Sequence, residues 1–130
     1  MGKELIASQT LGDLLKNDDN PEYSREELML KKGVLYPLGA VLGKITATGD
    51  YILSPKASVK DCEGAELACA VLLSETDAFE ANTKAVCLVR GMSIVADGAL
   101  VYDPSVTSLA DKKTKHEQLT ACGIVVRHNG

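Results

Sequence analysis

The chain has no tryptophan, a single phenylalanine (Phe79) and four tyrosines in 130 residues. A base-stacking platform needs several aromatic faces on one surface, so the composition argues against that mode of nucleic-acid binding. There is no excess of basic side chains either: 14 Lys and Arg stand against 18 Asp and Glu, a net charge of −4. A phosphate backbone calls for clustered cations, and nucleic acid is not expected as a partner. Only two histidines are present, and the four cysteines (Cys62, Cys69, Cys87, Cys122) form no C-x-x-C, so no metal-ligand set is apparent. Phosphate-cradling patterns such as G-x-x-x-x-G-K-[ST] and G-x-G-x-x-G are missing. No apolar run is long enough for a secretion signal or a membrane span. The cysteines are therefore expected as reduced thiols of a chain made in the cytoplasm.

What remains is material for a packed core. Apolar residues make up 45% of the chain and charged residues 25%, the ordinary range for a globular protein. A chain of this length buries roughly two-thirds of its unfolded surface, enough for one domain without staples. From Leu28 onward, short apolar runs alternate with Gly, Pro and polar pairs, the rhythm of a small β-domain. "VLGKI" and "YIL" read as strands joined by a turn at Gly49, and Gly33, Gly39 and Gly43 fall where a strand bends or bulges. "LACAVLL" (67–73) is apolar on both alternating faces, as in a strand covered on both sides. "AVCLVRG" and "MSIVADGALVYD" follow, with Asp97-Gly98 predicted as a hairpin tip. One stretch, "SLADKKTKHEQLTACG", reads as a helix opened by a Ser108/Asp111 capping box and closed by Gly123, after which "GIVVR" returns as a strand. The expected fold is mainly β with one C-terminal helix (α+β): a small β-barrel or β-clip-like domain over 28–130, preceded by an extended arm over 1–27.

Candidates for chemistry are few. Cys69 and Cys87 sit in apolar strands, where a thiol acts as a small hydrophobe. Cys62 is flanked by Asp61 and Glu63, whose charges oppose a thiolate. His116 shares a helix side with Leu109 and Leu119, which makes it a boundary residue of the packed face. The paired carboxylates Asp18-Asp19 and Glu26-Glu27 read as solvating charge. No catalytic, cofactor-binding or metal-binding residues are assigned, and no enzyme activity is expected.

The leader is the unusual part. Residues 1–27 hold three basic and seven acidic side chains, so this segment carries the whole net charge while the body is balanced. Leucines and an isoleucine recur in it at Leu5, Ile6, Leu11, Leu14 and Leu15. Burying five such side chains returns far less than the backbone entropy of ordering some 27 residues against solvent. The expected use is docking: on a partner the arm adds main-chain hydrogen bonds by strand addition and buries its leucines together.

The succession "SREELMLKKGVLYPLGAVLGKIT", "GAELACAVLL", "KAVCLVRGMSIVADGALVYD" and "LTACGIVVR" resembles the lambda-type head decoration proteins of tailed phages, from about Tyr23 to Arg127. The resemblance implies a non-enzymatic homotrimer with no cofactor. Such trimers sit at local three-fold positions on the outer surface of the expanded head, bind the major capsid protein and stabilise the shell against internal DNA pressure. It also implies synthesis in the host cytoplasm, residence in the virion, and no membrane or nucleic-acid partner. Mapped onto this chain, the capsid contact comes from the arm through about Leu30: Leu5, Ile6, Leu11, Leu14, Leu15, Leu28 and Leu30. Two alternatives stay open on the residues alone, a small cysteine-dependent enzyme and a lipoyl- or biotinyl-like carrier domain, the latter requiring an exposed Lys at a hairpin tip.

Overall fold

The computed structural model describes residues 11–18 and 20–127. In chain order the elements are α1 (Leu11–Leu14), β1 (Leu15–Asp18), α2 (Pro21–Ser24), β2 (Arg25–Leu30), β3 (Leu35–Tyr36), β4 (Val41–Lys44) and β5 (Tyr51–Leu53). These are followed by β6 (Ala68–Leu72), β7 (Thr76–Asp77), β8 (Thr83–Leu88), β9 (Ser93–Ala96), a 3-10 turn (Asp97–Ala99), α3 (Leu109–Thr120) and β10 (Ile124–Arg127). The mainly β architecture with one main C-terminal helix is the one the sequence predicts.

Five strands close a barrel in the order β2-β5-β4-β6-β8. The longest seam joins β2 to β8 antiparallel, from Arg25↔Leu88 to Leu30↔Thr83, and a single parallel pair, Leu30↔Tyr51, joins β2 to β5. Side chains alternate across each strand, so adjacent residues enter different cores. One core holds Leu28, Leu30, Tyr36, Leu42, Ala70, Leu72 and Cys87. The other holds Val41, Val71 and Leu88 from the opposite faces of the same strands, together with Leu14, Val95, Leu119 and Ile124. This double burial is why "LACAVLL" shows no polar alternation.

The pairing slips once between β4 and β6. Leu42 faces Ala70 and Gly43 faces Ala68, which leaves Cys69 as the extra residue of a bulge. Gly43 is obligatory there: a Cβ at that position would lie 1.9 Å from the Ala65 carbonyl oxygen.

A second layer covers the outer core. β9 pairs antiparallel with β1 and parallel with β10, and α3 lies across β10 and β6. The helix begins as its sequence predicts, with Ser108 Oγ accepting a hydrogen bond from the Asp111 amide at 3.1 Å. It ends at Thr120, and three residues on Gly123, whose φ of +90° suits glycine, turns the chain into β10 with its backbone pressed against Gly91; a Cβ on Gly91 would lie 2.1 Å from the Gly123 carbonyl oxygen.

Two features differ from the sequence reading. Asp97-Gly98 forms a 3-10 turn rather than a hairpin tip, because the chain beyond it leaves β9 and bridges Val101 to Ala40. The described part of the leader is seated on the body: β1 pairs along β9, and β2 begins at Arg25, so it crosses the expected 27/28 boundary. Ordering the leader is offset here, because the body itself supplies a strand edge in β9 and a core site for Leu14, which is fully buried. Charge in the leader is likewise used internally. The Asp18 carboxylate, 6% exposed, accepts from Ser24 Oγ at 2.6 Å and pairs with Arg25 Nε at 3.1 Å. Glu26 pairs with Arg90 at 2.9 Å.

Candidate interaction surface

Two of the cysteines are held as thiols by burial. Cys87 is fully buried, and burial pushes its thiol up to about 12; burial also raises Cys69, at the β6 bulge. Cys62 is half-buried in the loop between β5 and β6. Among the described residues no group of three or more His, Cys, Asp or Glu side chains is placed to hold a metal ion.

His116 does lie at the edge of the packed face, although Leu109, expected beside it, is 86% exposed. Its Nε2 is 2.7 Å from Tyr102 Oη and 3.4 Å from Asp97 Oδ1. The Tyr102 phenol is held well above its ordinary range, first by burial and then by the Asp97 carboxylate, to which it donates. These contacts tie α3 to the 3-10 turn.

Lys115 escaped the sequence reading. It is 2% exposed, and its Nζ donates to Ser54 Oγ at 2.9 Å, Pro55 O at 2.7 Å and Glu66 O at 2.6 Å. Burial lowers its pKa, partly offset by Glu66, Asp103 and Asp111. All three ammonium protons find acceptors, so the residue is a buried clamp between α3 and the two ends of the β5–β6 loop. Its one sequence signal is position: it stands four residues before the buried Leu119, on the same helix face.

The surface around the leader is more open. Leu14, Leu28 and Leu30 fill the cores, whereas Leu11 is 37% exposed and Leu15 is half-buried. Leu5 and Ile6 lie outside the described residues. Tyr23 is largely exposed and stacks under the Arg90 guanidinium, 5.1 Å from ring centre to Cζ. Arg90 also donates to the Tyr23 carbonyl, locking α2 to the end of β8. The described leader joins the body as β1 of the sheet β1-β9-β10.

The family described as bacteriophage lambda head decoration protein D matches residues 5–124, nearly the whole chain. No curated protein matches it. A mainly β body with one main C-terminal helix accords with that match: the chain belongs to the bacteriophage lambda head decoration protein D family, structural proteins of the phage head.

Proposed function

We propose that this protein is a cement for the expanded phage head. It binds the outer surface as a homotrimer at local three-fold positions, engages neighbouring major capsid subunits and stabilises the shell against internal DNA pressure, without catalysis. The observation that carries the reading is the family match over residues 5–124. The half-buried Leu15 and the 37% exposed Leu11 support it, because apolar side chains left at the surface of the leader can be covered by a capsid partner. Three linked arms convert weak single contacts into tight attachment, with avidity gains on the order of 10²–10⁴ when the geometry permits.

Of the seven arm residues assigned to capsid contact, Leu5, Ile6, Leu11 and Leu15 are the working set. Leu14, Leu28 and Leu30 would have to leave the core first, at about 1.5–3 kcal/mol each. Synthesis in the host cytoplasm and assembly onto finished shells complete the reading.

The test is addition of purified protein to expanded, undecorated heads, followed by electron microscopy and a thermal rupture assay. Density at local three-fold positions and a higher rupture temperature are expected. Heads that stay bare, or that are decorated without gaining resistance, contradict the proposal.

A further inference from the structure

Two surface features of opposite character lie on separate elements. The first is the loop 74–82, "SETDAFEAN", with three acidic side chains and no basic one. At its centre the chain's single phenylalanine, Phe79, stands 58% exposed. A protein with so few aromatic side chains would ordinarily bury this one.

The loop is rigidly held. The Phe79 amide donates to Asp77 Oδ1 at 3.1 Å, Gly33 donates to the Ala78 carbonyl at 2.8 Å, and the Lys32 amide donates to Asn82 Oδ1 at 2.8 Å. An aromatic side chain has few rotatable bonds, and on a loop whose backbone is pinned it loses little freedom on binding, which is the property of an anchor.

The second feature is a half-open groove of about 350 Å³ along α3, lined by Asp97, Leu109, Lys112, Lys113 and His116. A cavity of ~150 Å³ already admits a benzene ring, so a benzyl side chain fits. Leu109 is the most exposed large apolar side chain among the described residues. The methylene stems of Lys112 and Lys113 add apolar wall below their charges. Lys112, whose Nζ lies 5.5 Å over the Tyr102 ring, and Lys113 bring two positive charges to the groove against the one carboxylate of Asp97, itself 3.4 Å from His116.

We propose that Phe79 of one copy seats in the α3 groove of a second copy, with Asp77 and Glu80 facing Lys112 and Lys113. Each copy carries both halves, and the halves differ, so the contact is head-to-tail. Repeated around an axis, such a contact closes a ring. This rests on the trimer reading above and supplies the interface that reading leaves open. Opposite charges on anchor and groove favour this pairing over groove-to-groove or loop-to-loop contacts, each of which sets like charges together.

Analytical ultracentrifugation of the wild type, Phe79→Ala, Glu80→Lys, Lys113→Glu and the Glu80→Lys/Lys113→Glu double variant tests the interface, with circular dichroism to confirm each fold. In a wild-type trimer, Phe79→Ala weakens association at least ~10-fold, each single charge reversal weakens it by roughly 10-fold, and the double variant recovers most of the loss. A wild-type trimer whose association is unchanged by Phe79→Ala, or a double variant no better than either single, overturns this interface and leaves the trimer standing. A wild type that is monomeric at all concentrations overturns this interface, while the trimer reading is judged by density at the local three-fold positions of decorated heads.

Discussion

Cys87 shows how much a single buried group decides. Its thiol keeps a proton in the folded state up to about 12, against an ordinary value of 9.0, so the unfolded chain releases that proton first. The folded state therefore binds more protons in this window, and stability is fully present below pH 9 and falls as pH rises from 9 toward 12. Tyr36 acts in the same direction between 10.0 and about 12, its phenol raised by burial and donating to the Lys31 carbonyl at 2.8 Å. Urea midpoints of wild type and Cys87→Ala should differ by a constant offset below pH 9, with a shallower decline in the variant above it. Parallel declines would show that the thiol is not the group responsible. Lys115 gives a second residue-scale prediction. Lys115→Met removes three donors at once and strands the Ser54, Pro55 and Glu66 oxygens in a buried site, a loss of about 2–4 kcal/mol by chemical denaturation. The burial of Cys87 is legible in its apolar strand, whereas the role of Lys115 is not. A lysine in "KKTKHE" looks like any solvated charge, and only the loop brought against α3 from some fifty positions away makes it a clamp.

At the scale of elements, local chemistry was readable and long-range placement was not. The Ser108 cap, the Gly123 turn and the doubly covered strand "LACAVLL" follow from neighbours in sequence, so the helix and β6 fall where expected. The bulge at Cys69 and the need for Gly43 depend on the Ala65 carbonyl arriving from another loop. Gly43→Ala should accordingly cost about 2–3 kcal/mol, read as a lower thermal midpoint. The leader was the larger miss. Nothing in "LKND" announces β1, because its partner β9 lies some eighty residues on and its own apolar content is slight. Asp18 holds the corner between β1 and β2 through Ser24 and Arg25, so Asp18→Ala should cost about 1–3 kcal/mol. Hydrogen exchange should then quicken in residues 11–27 ahead of the barrel strands; a uniform change across the chain would contradict that reading of the corner.

The whole molecule divides differently from the two-part scheme that composition suggests. The net charge does reside in residues 1–27, but β1 and β2 make the latter part of that segment structural, so a cut after residue 27 would damage the barrel as well as remove an arm. Resemblance of ordered segments, from "VLGKIT" to "GIVVR", named the family, and the match over residues 5–124 bears this out. Neither indicates which leucines face outward. That depended on Leu14 having a core to enter. The most direct test of arm docking is therefore co-sedimentation with expanded, undecorated heads, comparing the full chain with one lacking residues 1–10. This deletion takes away Leu5 and Ile6 and none of the residues whose packing is described above. The account predicts that the shortened protein keeps its thermal midpoint but stays in the supernatant at concentrations where the full chain pellets with the heads. Equal pelleting of the two would contradict it.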